Sequence, residues 1–255
     1  RFLPRNALVL DDSVIPLRIL SYNTGQDLPD YDEVDELVRE SGADIVILQE
    51  ITRDYIDGYW PEILATYPYQ VYGPLQGEKQ VGMGILSRYP IIELSNFKLA
   101  DNGLVFQQRA LVNIDDRVVA LYNIHLTFPW IRVRPDSVFS RLPWLVYDDE
   151  VLREEVDNLA MLLRDEQIPV IAAGDFNLTD QSSDYERITS LLVDSYRDVG
   201  FGLGCTWPDN LVPALGIRPA TPLVRVDYVF QSTSKKIRDF LALQSSGSDH
   251  RPVVV

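Results

Sequence analysis

The stretch IPVIAAGDFN at residues 168–177 carries the strongest information on both the fold and the site. Its first six residues are apolar and are flanked by turn formers, which predicts a short buried strand. Asp175 and Asn177 lie two residues apart where that strand ends, so both side chains can point the same way from the rim of a sheet. A second polar rim, Ser248-Asp249-His250, precedes the apolar end of the sequence. Together the two rims suggest a hydrolytic site.

The composition indicates a single folded domain. The chain has 255 residues, of which 46% are hydrophobic, and a chain of this size can bury a large core. No Gly/Ser linker or block of charge divides it. We therefore expect an N-terminal extension at residues 1–16 and one catalytic domain at residues 17–255. Cys205 is the single cysteine, which excludes an internal disulfide framework and a cysteine-based zinc cage.

The formal net charge of −15 limits the kinds of partner that the chain can have. Proteins that bind nucleic acid through its phosphates usually carry a basic face, and the acidic balance argues against one, although a local basic cleft remains open. No stretch reaches the ~18 apolar residues of a membrane span. We expect a monomer without an obligate protein partner.

Polar residues recur where predicted strands end. Hydrophobic periodicity predicts helices at residues 32–40, 54–66, 149–164 and 185–193, with strands between them and long loops at 126–147 and 202–222. Any one polar residue after a strand is explained as a turn or cap residue. The set nevertheless includes both histidines of the chain, which favours catalysis. Its members are Asn23, Glu50, His125, Asp175, Asn177, Asp227, Asp249 and His250.

These pieces resemble the endonuclease/exonuclease/phosphatase superfamily, the metal-dependent phosphoesterases related to deoxyribonuclease I. The matching stretches follow the family's order and are SYN at 21–23, ILQE at 47–50, NIH at 123–125, GDFN at 174–177, RVDY at 225–228 and SDH at 248–250. The resemblance implies an α/β fold of the α+β kind. It is a four-layered α/β sandwich, in which two mixed β-sheets lie face to face with helices outside. The active site would lie at one end of the sandwich.

The resemblance also implies a metal centre with a histidine base. Glu50 would be the main ligand of Mg²⁺, or of Mn²⁺, with Asp249 as a further ligand and Asn23 either a ligand or a support behind one. Carboxylate and amide oxygens suit these hard cations. His250 would be the general base, since an imidazole pKa of ~6.5 allows proton transfer near neutral pH. Asp227 would fix its tautomer.

The remaining residues of the set would act on the phosphoryl group. Asp175 would orient the attacking water, Asn177 would donate to a phosphoryl oxygen, and His125 would stabilise that group or protonate the leaving oxygen. The implied reaction is metal-assisted attack of water on a phosphodiester or phosphomonoester. Gly25 stands where some endonuclease relatives have an acidic residue. The sequence therefore does not decide whether a second protein carboxylate binds the metal.

Substrate contacts are expected from Arg109 and from the two long loops. Arg109 lies in a strand-like segment, where it meets either the substrate phosphate or a structural carboxylate. The loops interleave arginine with aromatic residues, a composition that can stack bases, contact a lipid interface, or form a packed lid. Their candidate residues are Trp130, Arg132, Arg134 and Trp207.

The substrate class stays open at the level of sequence. A phosphatase or phosphodiesterase acting on a small or lipid ester, a nuclease acting on DNA or RNA, and a non-catalytic binding module share this fold. The presence of Glu50, Asp175 and His250 argues against the last. The segment RFLPR at residues 1–5 resembles the one that follows membrane spans in some bacterial members, which implies the soluble domain of a membrane-anchored protein.

Overall fold

Two six-stranded mixed sheets form the framework. The computed structural model describes residues 16–25, 31–58, 63, 65–77, 79–103, 105–134, 144–209, 221–232, 239–245 and 247–255. In the first sheet the order is β13-β14-β1-β2-β4-β3. These strands are β1 (Ile19–Asn23), β2 (Ile45–Thr52), β3 (Tyr69–Tyr72), β4 (Val81–Ser87), β13 (Leu241–Ala242) and β14 (Val253–Val254).

The second sheet has the order β11-β12-β10-β7-β6-β5. Its strands are β5 (Ile91–Phe97), β6 (Gln107–Ile114), β7 (Arg117–His125), β10 (Val170–Asp175), β11 (Val193–Asp194) and β12 (Asp227–Gln231). The helices in the described residues include α1 (Tyr31–Ser41), α2 (Arg53–Gly58), α3 (Glu150–Asp165), α4 (Ser183–Thr189) and α5 (Ser195–Val199). None of the helices in these ranges is long and apolar enough to cross a membrane.

Three apolar layers stack the helices and sheets. One layer joins Ile47 and Ile85 of the first sheet to Leu121 and Val229 of the second. A second layer packs α1 on the first sheet, and a third packs α3 on the second sheet. Because each sheet is covered on both faces, its central strands are continuous apolar runs. The order helix, sheet, sheet, helix confirms the predicted four-layered sandwich.

One polar bridge crosses the apolar layer between the sheets. Asn123 of β7 is fully buried, and its Nδ2 lies 3.0 Å from the carbonyl oxygen of Leu48 and 3.2 Å from that of Gly84. Its Oδ1 accepts a 2.8 Å hydrogen bond from Gln49 Nε2. A buried amide must find partners of this kind. Three of them belong to the opposite sheet, and Gln108 of the neighbouring strand β6 accepts a further bond at 3.0 Å.

Two predicted elements differ from the structure. The predicted helix at 185–193 begins earlier, because Ser182 caps it through Tyr185 N, and it ends at Thr189, because Val193 and Asp194 pair with β12 instead. The predicted loop at 126–147 contains an antiparallel hairpin of β8 (Trp130–Arg134) and β9 (Trp144–Asp148). β-branched and aromatic residues alternate with arginine there, which suits a strand.

Several sequence predictions fall outside the described residues. The extension at 1–16 lies there except for its last residue, as does 210–220 of the second predicted loop. Only the backbone is described at Trp130, Arg132 and Arg134, so their contact with a substrate stays a prediction.

Candidate active site

The ends of neighbouring strands bring the predicted residues together. β1 and β2 run parallel, with Asn23 opposite Gln49, so Asn23 and Glu50 leave the same edge of the first sheet. In the second sheet Asp175 lies opposite His125 on one side and opposite Asp227 on the other. The two sheets face each other, and their polar ends therefore meet at one end of the sandwich.

The backbone is strained at Glu50 and on both sides of Asp175. Glu50 and Asn177 have φ angles of 59° and 50°, which lie in the left-handed region that non-glycine residues rarely adopt. Gly174 has a φ of 142°, and a Cβ at this position would come within 1.8 Å of the carbonyl oxygen of Ile124. Strain of this kind concentrates at functional sites.

Asn23 joins the two sheets inside the site. Its Nδ2 donates to Glu50 Oε1 and to Asp175 Oδ2, both at 3.1 Å, and its Oδ1 accepts from Gly25 N at 3.0 Å. The amide nitrogen thus supports both carboxylates, and the amide oxygen, which accepts one bond, keeps a second lone pair. Both roles expected for Asn23 stay predictions.

His250 is held in place by a buried carboxylate. Its Nδ1 lies 3.0 Å from Asp227 Oδ2 and 3.2 Å from Oδ1, which leaves Nε2 directed at Asp175 Oδ2, 3.7 Å away. Ser248 fixes the backbone, because its Oγ accepts from His250 N and donates to the carbonyl oxygen of Asn23. The predicted pairing of His250 with Asp227 is therefore present, and their roles as base and orienting acid stay predictions.

The charge state of this pair differs from the expectation. Burial opposes a positive charge on His250, but Asp227 and Asp175 outweigh it and raise the pKa of the imidazole to about 10. Burial and the charge of Asp227 raise the pKa of Asp175 to about 6, although His250 lowers it. The two carboxylates therefore raise the pKa of the imidazole above the ~6.5 expected from the sequence, and the role of His250 as the base stays a prediction.

His125 faces the two carboxylates from the second sheet. Its Nε2 lies 3.6 Å from Glu50 Oε1 and 3.7 Å from Asp175 Oδ2. Gln107 fixes its backbone through two hydrogen bonds, accepting from His125 N at 2.7 Å and donating to its carbonyl oxygen at 2.8 Å. A hydrogen-bond donor at this position can contact a phosphate group that binds next to the two carboxylates.

Asn177 also belongs to the site, but its amide is occupied. Nδ2 donates to the carbonyl oxygen of Leu126 at 2.8 Å and to Asp175 Oδ2 at 3.2 Å. The backbone N–H donates to Asp175 Oδ1 at 2.9 Å. Asn177 thus orients Asp175 in this structure, and a hydrogen bond to a phosphoryl oxygen requires it to exchange one of these partners.

Sequence reasoning missed the residue that fixes the segment after His125. Glu155 of α3 is fully buried, and its carboxylate accepts from Thr127 N at 2.7 Å and from Thr127 Oγ1 at 2.9 Å. A charged residue on the apolar face of a predicted helix was the available signal, since Glu is rarely buried unless it is paired.

Asp249 and Trp207 contact each other beside His250, and this part of the structure is called the mouth of the site below. Trp207 Nε1 donates to Asp249 Oδ2 at 2.9 Å, and the indole lies 6.5 Å from the His250 ring, measured between centroids. One carboxylate oxygen of Asp249 is therefore engaged by the indole, and its other oxygen is the one that can serve the predicted ligand role.

Arg109 does not join the other predicted residues. Its Nε lies 2.7 Å from Glu166 Oε2 and its Nη1 lies 3.1 Å from Glu93 Oε1. Arg109 lies opposite Tyr122 on the neighbouring strand. The Tyr122 side chain packs between the second sheet and α3, and its hydroxyl donates to the same oxygen of Glu166. These contacts support the alternative in which Arg109 meets a structural carboxylate.

Removing the Arg109 guanidinium should lower stability at neutral pH. Arg109→Ala leaves the partly buried Glu166 without its cation, at a cost of about 1–3 kcal/mol. Burial opposes ionisation of Glu166, but Arg109 outweighs it and holds the pKa below its usual value. The contribution is thus present above the unfolded pKa of about 4.3, and it disappears as the pH falls through the folded pKa.

Urea unfolding of both proteins at neutral and acid pH measures this difference. Arg53→Ala is the control, because Arg53 forms an exposed ion pair with Asp57, and loss of such a pair costs below about 1 kcal/mol. Equal stability of Arg109→Ala and the parent protein at neutral pH would contradict the assignment.

Comparison with known proteins identifies the family of the chain. The model of the Endonuclease/Exonuclease/phosphatase family matches residues 20–250, whereas no curated protein matches the chain. Among solved structures, the mannosyl-6-phosphatase Bt3783 of Bacteroides thetaiotaomicron VPI-5482 is 17% identical with a TM-score of 0.63, and the match covers 94% of this chain and 98% of that one.

Two further solved structures have similar scores. D. rerio TDP2 complexed with a single-strand DNA product is 17% identical with a TM-score of 0.63, over 93% of this chain and 97% of that one. The human Nocturnin catalytic domain with a bound sulfate anion is 19% identical with a TM-score of 0.61, over 94% and 92%. These identities show a shared fold alone. The family model, by contrast, spans the described strand ends from Asn23 to His250, and the chain belongs to the endonuclease/exonuclease/phosphatase family.

Proposed function

We propose that the chain is a divalent-metal-dependent phosphoesterase, which hydrolyses a phosphodiester or phosphomonoester by attack of water. The observation that carries the proposal is the convergence of a His250–Asp227 pair with Asp175, Glu50 and His125 at one end of the sandwich. Two imidazoles whose ring nitrogens lie within 3.7 Å of carboxylate oxygens can supply both proton transfer and charge stabilisation. The family's phosphoesterase chemistry supports the same reaction.

The donor set fits a hard divalent cation. Asp175, Asp227 and Glu50 gather negative charge, and burial together with the charge of Asp227 raises the pKa of Asp175 to about 6. Donor atoms of Asp175, Asp227 and His250 lie within 4.8 Å of one another, but Asp227 and His250 already satisfy each other. Oxygen ligands suit Mg²⁺ or Mn²⁺. We therefore propose that Glu50 is the main ligand of the metal, that Asp249 is a further ligand, and that Asn23 either binds the metal or holds Glu50 in place.

The protein residues would divide the work between proton transfer and positioning. A bound divalent cation would supply positive charge that polarises a phosphoryl oxygen. In its neutral form His250 would accept a proton from water at Nε2, while Asp227 holds the ring through Nδ1. Asp175 and Asn177 would orient the water and the phosphoryl group, and His125 would stabilise the charge on the leaving side.

A metal titration tests this function. The purified protein should hydrolyse 4-nitrophenyl phosphate or bis(4-nitrophenyl) phosphate with Mg²⁺ or Mn²⁺, fall to background with EDTA, and recover when metal is returned. Glu50→Gln keeps the shape of the side chain but loses its charge, so Mn²⁺ binding measured by calorimetry should weaken. Full hydrolysis in EDTA, or no hydrolysis of any phosphate ester by folded protein with metal, would refute the proposal.

A further inference from the structure

Two aromatic side chains stand side by side at the mouth of the site. The ring centroids of Phe128 and Trp207 lie 6.0 Å apart with the planes inclined by 57°, and Trp207 lies next to His250. Phe128 follows His125 by three residues, yet 46% of its surface is exposed. A half-exposed phenylalanine beside a polar catalytic centre leaves apolar surface that a bound group can cover.

Hydrogen bonds of the neighbouring threonines hold in place the two backbone segments that carry these aromatic residues. The segment that carries Phe128 is bonded to buried Glu155 through Thr127. The segment that carries Trp207 is bonded to the strand of Asp227, because Thr206 Oγ1 accepts from Val226 N and from Asp227 N, both at 3.2 Å. The indole itself donates to Asp249. Preorganised side chains of this kind lose little entropy when a ligand binds.

The surroundings of the pair favour a ring over a long polyanion. Among the side chains that the structure describes, the two arginines next to the Trp207 segment, Arg225 and Arg251, are bound to Asp194 and to Asp209, both at 2.7 Å. The net charge of −15 opposes extended contact with a phosphate backbone. Aromatic faces, in contrast, attract planar groups whatever the net charge, through stacked or tilted contacts.

We propose that Phe128 and Trp207 recognise a planar aromatic group carried by the substrate phosphate. The group is an aryl ring bonded to the phosphate oxygen or a nucleobase further along the ester. The inference rests on the proposed phosphoesterase function, since it assigns the part of the substrate next to the reacting phosphate. It makes Phe128 a residue that determines specificity, whereas the sequence placed it only in a loop expected to contact the substrate.

Binding of matched phosphate probes tests the inference. Calorimetry with Mg²⁺ compares phenyl phosphate with methyl phosphate, and adenosine 5′-monophosphate with ribose 5-phosphate. The aromatic member of at least one pair should bind about three- to tenfold more tightly, the size expected for one aromatic contact. The first pair reports an aryl ester and the second a nucleobase.

Variants of Phe128 complete the test. Phe128→Ala should remove the preference to within about twofold, whereas Phe128→Tyr should retain it because the ring is kept. Phe201→Ala is the matched control, since Phe201 is 71% exposed and lies on another loop; it should leave both ratios unchanged.

The outcomes separate this inference from the proposed function. Equal binding within both pairs, or a preference that survives Phe128→Ala, overturns the aromatic recognition while phosphate binding still supports a phosphoesterase. Folded protein that binds none of the four probes and hydrolyses no phosphate ester overturns both.

Discussion

Replacing His250 with asparagine is expected to lower kcat by about 10²–10⁴-fold, the usual contribution of a positioned general base. The amide of asparagine can still donate to Asp227, so the buried carboxylate keeps a partner and the fold is preserved. The atom that is lost is Nε2, which faces Asp175 at 3.7 Å. Steady-state hydrolysis of an aryl phosphate with saturating Mg²⁺ measures the change, and circular dichroism confirms folding.

The companion variants distinguish catalysis from stability. Asp227→Asn should also reduce kcat, because the amide no longer favours the tautomer with the proton on Nδ1. Met161→Ala, at an exposed position of α3, should leave kcat unchanged. A folded His250→Asn protein with kcat within a factor of about three of the parent would show that His250 is not the base.

Replacing Gly174 with alanine is expected to cost more stability than any other substitution considered, about 4 kcal/mol or more. The added Cβ would meet the carbonyl oxygen of Ile124 at 1.8 Å, and this oxygen belongs to the backbone of β7, so the clash cannot be relieved by a side-chain rotation. The φ of 142° is itself unfavourable for alanine. Urea unfolding, or the yield of soluble protein, measures the effect.

Gly42→Ala is the control for the backbone angle. Gly42 has a φ of 61°, and a Cβ added there would meet no atom within 4 Å, so only the conformational cost of about 1 kcal/mol remains. Similar stability losses at the two glycines would show that the contact with Ile124 relaxes and that the close approach of β10 and β7 is not required.

Much of the fold and of the site could be predicted because both follow local rules. Apolar runs that end in polar residues predict buried strands, and the carboxyl ends of parallel strands meet at one edge. This rule finds Asn23, Glu50, His125 and Asp175, whereas His250 precedes the last strand and was found as a polar rim before an apolar run. Their assembly in one site needed the resemblance to the family, since spacing alone does not say which strands are neighbours.

The rest depends on contacts between distant parts of the chain. Glu155 binds a residue that lies in another element, and no periodicity reports such a pair. The pKa of His250 depends on carboxylates from two other strands. The end of α4 also differs from the prediction, because the pairing of Val193 with β12 outweighs the helical tendency of the preceding residues.

The position of Asn123 gives the active site a mechanical requirement. Glu50 and Asn23 belong to one sheet and His125, Asp175 and Asp227 to the other, so catalysis needs the two layers to keep a fixed lateral alignment. Apolar contact between the layers is non-directional and permits sliding, whereas the hydrogen bonds of Asn123 to Gln49 and Leu48 are satisfied at one offset only. Asn123 thus fixes the alignment of the two layers behind the catalytic centre, in addition to the bond of Asn23 to Asp175 within the site.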